Sequence, residues 1–182
     1  MHGTMFVHLR DYVEHEMGAA GWPELLRQAN LGPRLYLPIK AYPDEELMLL
    51  VHAAAAATSQ PVPALLQRFG EYLAPQLVAM YRHLLKPHWK TVDVLEHVES
   101  TAHRAVRIEQ PEATPPYLHA ERLSDHKIRI IYTSARRLCH VATGIIRGLA
   151  ANYGEEVTIA ETECMHRGAN RCVLQVSTST GS

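Results

Sequence analysis

At 182 residues, 47% of them hydrophobic, the chain is long enough to bury one sizeable core and suits a single domain. Its 18 basic and 19 acidic side chains are interspersed and leave a net charge of -1, which excludes the concentrated basic stripe of a nucleic-acid surface. No run approaches the roughly 18 apolar residues of a membrane span, no secretory leader is visible, and 3 cysteines suit a reducing compartment, so a cytoplasmic protein is expected.

Met5, Val7, Leu9, Tyr12, Val13 and Met17 predict a first helix that ends near Gly18, with a short helix over 23–29. Past Gly32-Pro33, the acidic run Pro43-Asp44-Glu45-Glu46 reads as a helix start, and that helix continues through the alanines at 53–57. Leu65, Leu66, Phe69, Tyr72, Leu73 and Leu77 give a wide apolar stripe to a helix over 61–81, which Pro75 kinks or divides. A helix over 92–106 carries His103. His97 lies six residues earlier, about 240° around an ideal helix, so the two cannot face one pocket. Two hairpins are expected, one pairing 117–123 with 127–136 and one pairing 156–165 with 171–176, separated by a helix over 138–153. The fold class is therefore α+β: an N-terminal helical part packed on a C-terminal antiparallel sheet with a helix. It forms one domain over 1–177, and the Ser/Thr/Gly residues 178–182 read as a disordered tail.

If 128–136 is a strand, Tyr132, Ser134 and Arg136 fall on one face, since strand side chains alternate. A phenol, a hydroxyl and a guanidinium in a row suit a carboxylate pair, because Arg supplies a donor fork and the hydroxyls complete it. Upstream stand His103 and then Ala113-Thr114-Pro115-Pro116. This order, with Met1-His2-Gly3-Thr4, the segment Tyr42-Pro43-Asp44-Glu45-Glu46-Leu47 and Phe69-Gly70, resembles the haem nitric oxide/oxygen binding (H-NOX) domain. That sensor fold is also found in soluble guanylate cyclase, and the resemblance spans nearly the whole chain.

The resemblance implies haem b between the helical part and the sheet, held without covalent attachment since no C-x-x-C-H is present. It makes His103 the ligand to the haem iron, Tyr132, Ser134 and Arg136 the holders of the propionates, and Pro116 the ring pressed on the macrocycle. It places Leu9, Leu73 and Val141 on the distal side, where oxygen-binding members carry polar or aromatic partners; His8, Tyr12 and Tyr72 are the polar alternatives one position away. Bound O2 needs a distal donor far more than NO does, so an apolar set implies an NO sensor. No kinase or cyclase motif occurs in the chain. By resemblance its output passes by contact to a histidine kinase or a cyclic-di-GMP enzyme, and it is not itself an enzyme.

Cys139, Cys164 and Cys172 lie near His166, a ligand set for structural zinc, with Glu161 and His140 as the other candidates for the fourth position. Some relatives in the resembled family carry a zinc site here. A competing reading is a haem-free zinc and thiol domain sensing redox state or a small ligand; His103 together with Tyr132, Ser134 and Arg136 distinguishes the two.

Overall fold

The structure is a computed structural model that describes residues 1–109 and 113–180. By internal contacts the chain divides into two compact units, Met1–Phe69 and Gly70–Ser182, where the composition predicts one domain over 1–177. Each unit has a core of its own.

The first unit holds α1 (Gly3–Met17), α2 (Gly21–Gln28) and α3 (Asp44–Thr58). Its core is aromatic: Phe6 stacks on Tyr36 at 4.2 Å and 5°, and Trp22 meets the same ring edge-on at 6.0 Å. Two of the sequence segments noted above explain themselves here. A Cβ on Gly3 would lie 2.0 Å from the Leu37 carbonyl oxygen, so only glycine lets α1 start against that loop. The acidic triplet Asp44, Glu45 and Glu46 forms the first turn of α3, and the buried Glu46 accepts the Tyr36 hydroxyl at 2.7 Å and pairs with Arg34.

The unit boundary falls inside α4 (Val62–Tyr81), a single helix with Pro75 in its interior. Pro75 has no N–H to donate to the Glu71 carbonyl, and that carbonyl faces Gly148 across the packing against α7 (Cys139–Asn152).

The rest of the second unit comprises α5 (Thr91–His97), a π turn over Glu99–His103, α6 (Arg104–Glu109), β1 (Tyr117–Ser124), β2 (Lys127–Thr133), β3 (Glu155–Glu163) and β4 (Cys172–Thr180). The strands form one antiparallel sheet in the order β1-β2-β4-β3, as the α+β expectation requires. Alternation buries Ile128 and Ile130 of β2 beside Val176 and Leu174 of β4, and this face packs with Val92 and Leu95 of α5 and Ile146 and Leu149 of α7. No single described helix is long and apolar enough to cross a membrane.

Three expectations change. The helix over 92–106 is broken into α5, the π turn and α6. Strand β2 stops at Thr133, because Ser134–Arg137 forms a turn in which Arg137 takes a left-handed φ of 52°, so Ser134 and Arg136 are not strand residues. Finally, β4 continues three residues into the supposed tail: Thr178, Ser179 and Thr180 pair with Val157, Glu156 and Glu155. Threonine suits a pleated, half-buried surface even in a low-complexity run. Residues 181–182 of that tail lie outside the described residues.

Candidate functional site

His103 closes the π turn, its amide donating to the Val98 carbonyl five residues back at 3.0 Å. π turns inside α-helices are rare and cluster at functional positions. The imidazole is largely buried, 16% exposed, and its Nδ1 lies 2.9 Å from Glu99 Oε2. Burial is the main cause that lowers the His103 pKa, so the ring is neutral at pH 7. Burial alone would raise the Glu99 carboxyl, but the bonds from His103, Arg107 and the Leu118 amide outweigh it and hold the group below its ordinary range. An ionised carboxylate only accepts, so Nδ1 carries the proton and Nε2 keeps the lone pair that can coordinate a metal.

His97 is committed elsewhere. Its ring stacks on Trp89 at 4.4 Å, and its Nδ1 lies 2.9 Å from the Asp93 carbonyl.

At the end of β2, Tyr132 is buried and its phenol bonds the Ser134 side chain, while burial pushes its pKa up to about 12. In the following turn the Ser134 hydroxyl accepts the Arg136 amide at 3.3 Å. The Arg136 guanidinium donates to the Thr114 carbonyl at 2.5 Å and to its hydroxyl at 2.8 Å. Tyr132, Ser134 and Arg136 are thus brought together, though by a turn and not by a shared strand face. Arg136 also draws in the segment that ends at the half-buried Pro116. Leu73 of α4 and Val141 of α7 are buried in the second unit, and Leu9 is buried in the first.

This donor set fits a haem: a neutral imidazole with Nε2 available for iron, and a guanidinium with two hydroxyls for paired carboxylates. The sequence expectations included neither Glu99 nor the bond from Arg136 to Thr114. The i, i+4 spacing of Glu99 and His103 was a signal for the first; the second had none, since the two residues stand 22 apart.

The thiols form a second group. Cys139, Cys164 and Cys172 are buried, and each offers a sulfur within 4.8 Å of the others and of a Glu161 carboxylate oxygen. The Cys164 and Cys172 sulfurs are 4.0 Å apart. Tetrahedral zinc with Zn–S of about 2.3 Å needs sulfurs ~3.8 Å apart, so the spacing fits. Burial, then the neighbouring thiols, pushes Cys139 up, and burial does the same to Cys172. A cation between the sulfurs would reverse that shift.

His166, the expected fourth ligand, does not converge with all three sulfurs. Its Nε2 lies 2.7 Å from the Arg137 carbonyl and its ring stacks on His140 at 5.2 Å, so it groups with Cys139 and His140 instead. Glu161 takes the position beside the three thiols while one oxygen also accepts Arg167 at 2.8 Å.

The Haem-NO-binding (HNOB) family model matches residues 2–161. The chain is 27% identical to an H-NOX protein from S. oneidensis solved in the Fe(II)NO ligation state, with 99% of this chain and 100% of that one covered and a TM-score of 0.91. The NMR structure of the H-NOX domain from Shewanella oneidensis in the Fe(II)CO state agrees at 27% identity, 98% and 99% coverage and a TM-score of 0.88. A point mutant of the T. tengcongensis H-NOX protein shares the fold at 20% identity, 100% and 99% coverage and a TM-score of 0.87. No curated protein matches the chain. With the family model spanning most of the chain and the fold matched end to end, this protein belongs to the Haem-NO-binding family.

Proposed function

We propose that the protein is a haem-based nitric oxide sensor that signals by contact and is not itself an enzyme. The observation that carries this reading is His103 at the end of a π turn, with Nδ1 anchored on Glu99 and Nε2 left to coordinate. Haem b, if bound, would supply a ferrous iron able to bind a diatomic gas such as NO and, through that, to weaken its bond to an imidazole. His103 would hold the iron from the π turn, Tyr132, Ser134 and Arg136 would hold the propionates, and Pro116 would press on the ring. Leu73 and Val141 on the distal side would offer bound gas no hydrogen-bond donor, which favours NO over O2. Were His103 released, the π turn and α6 would be free to relax, and a histidine kinase or cyclic-di-GMP enzyme in the cytoplasm would read the difference, since a ligand shifts an equilibrium only through its differential affinity for two states.

Hydrogen exchange tests this directly. NO should speed exchange of the amides over 99–109, and air should leave it unchanged; identical exchange with and without NO overturns the reading.

Arg136 should carry most of the propionate binding. An Arg136→Ala protein is expected to lose haem to an acceptor globin about 10–100-fold faster, the equivalent of one charged hydrogen bond of about 1.5–3 kcal/mol. Arg136→Lys should recover only part of this, because an ammonium lacks the planar fork.

Zinc at Cys139, Cys164 and Cys172, with Glu161 in place of His166, is the second part of the proposal. The supporting observation is the convergence of three sulfurs and a carboxylate within 4.8 Å. The protein should carry one zinc per chain, Cys164→Ala should abolish it, and His166→Ala should leave it bound. Zinc lost from His166→Ala and kept by Glu161→Ala would contradict this ligand set.

A further inference from the structure

Glu99 opens the turn that His103 closes, and its carboxylate joins three elements. Oε2 lies 2.9 Å from His103 Nδ1 and accepts the Leu118 amide at 3.3 Å, while Oε1 accepts the Arg107 guanidinium at 2.5 Å. The first donor belongs to the π turn, the second to the start of β1 and the third to α6. Leu118 packs against both the main sheet core and the smaller cluster around Tyr132 and the three cysteines. An exposed i, i+4 pair on a helix would contribute little. Here the acceptor is partly buried and takes three donors, and Arg107 and Leu118 fix it independently of the histidine.

We propose that Glu99 is a positioning residue that sets how tightly His103 holds the iron and carries the release of His103 to β1. The inference rests on His103 being the iron ligand and deepens that reading. An imidazole that donates Nδ1–H to a carboxylate gains anionic character, which makes Nε2 the stronger ligand and fixes the ring's tautomer and tilt. Glu99 and His103 share one turn, so a displacement of that turn moves both. The bond that yields is then the longest of the three, from the Leu118 amide at 3.3 Å. Since β1 is an edge strand of the sheet, losing this bond frees the start of an edge and not the centre of the sheet.

Glu99→Gln and Glu99→Ala test the proposal with three readouts. In the haem-free protein, the ¹⁵N shifts of the His103 ring should report the Nδ1–H tautomer in the parent and a shift toward Nε2–H in Glu99→Ala. In the ferrous protein without gas, the iron–histidine stretching band should move to lower frequency in both variants, and haem dissociation should rise by about 10–100-fold, the usual cost of losing a partner behind a metal ligand. Leu118 amide exchange should quicken in Glu99→Ala before any haem is added.

A band unchanged in both variants overturns the inference and leaves the sensor reading standing. A parent protein that takes up no haem, or shows no iron–histidine band, overturns both. Should the alanine variant fail to fold, Glu99→Gln, which keeps the side-chain size, decides the matter by the same band.

Discussion

A His103→Gly protein should fold, lose its hold on haem, and lose the NO-dependent exchange over 99–109 even when the haem is restored. The side chain lies at the end of a helical segment and not in the main hydrophobic core, so its removal leaves the sheet and its packing intact. Glu99 keeps Arg107 and the Leu118 amide as donors, so no buried carboxylate is stranded. Altering a group behind a metal ligand costs about 10–100-fold in affinity, and removing the ligand itself should cost more than about 100-fold. Free imidazole added to the variant can reoccupy the iron, but it has no peptide link to the turn. NO should then still change the absorption spectrum, while exchange over 99–109 no longer responds. A variant whose exchange still quickens with NO would show that the signal leaves the haem by another route.

A Gly70→Ala protein should be strongly destabilised. A Cβ at Gly70 would lie 2.3 Å from the Val141 carbonyl oxygen and 2.9 Å from both Gly144 Cα and Ile145 N, all of them backbone atoms of α7. No rotamer change relieves such a contact, so α4 and α7 must separate. Overpacking of this kind costs about 1–3 kcal/mol, and at this chain length each kcal/mol lowers Tm by roughly 2–4 °C. Gly148→Ala meets Ala74 Cβ and the Glu71 carbonyl oxygen at 2.6 Å and should behave alike. Because both open the same interface, the double variant should be less destabilised than the sum of the two. Thermal unfolding of the haem-free proteins measures this; a Gly70→Ala protein as stable as its parent would contradict the packing.

Much of the fold was legible because its elements obey local rules. The apolar spacing of α1 and α4, the acidic start of α3 and the turn at Gly154, with its φ of 66°, are each written in a few adjacent residues. The π turn was not legible, since one extra residue in a helical turn barely disturbs a 3.6-residue pattern and shows only in the bond from His103 to Val98. The end of β2 was hidden for a different reason: the turn places Arg137, and no glycine or asparagine, at its left-handed position. Glu161 rather than His166 beside the thiols depends on the register of β3 against β4, which spacing along the chain cannot supply. The close approach of α4 and α7 at Gly70 is likewise a property of two helices distant in sequence.

The same long-range geometry also joins the two sites. Tyr132 pairs with Cys172 across β2 and β4, and Tyr132, Cys139, Cys164, Met165 and Cys172 form one small core. Tyr132, the residue proposed to hold a propionate, is therefore in direct packing with the thiol cluster.

The most direct measurement is the visible absorption spectrum of the haem-loaded ferrous protein under argon, then with O2, then with NO. The expected result is a five-coordinate spectrum under argon that O2 leaves unchanged and that NO converts to the five-coordinate form lacking His103. A protein that takes up no haem, or one that binds O2 stably, would contradict it.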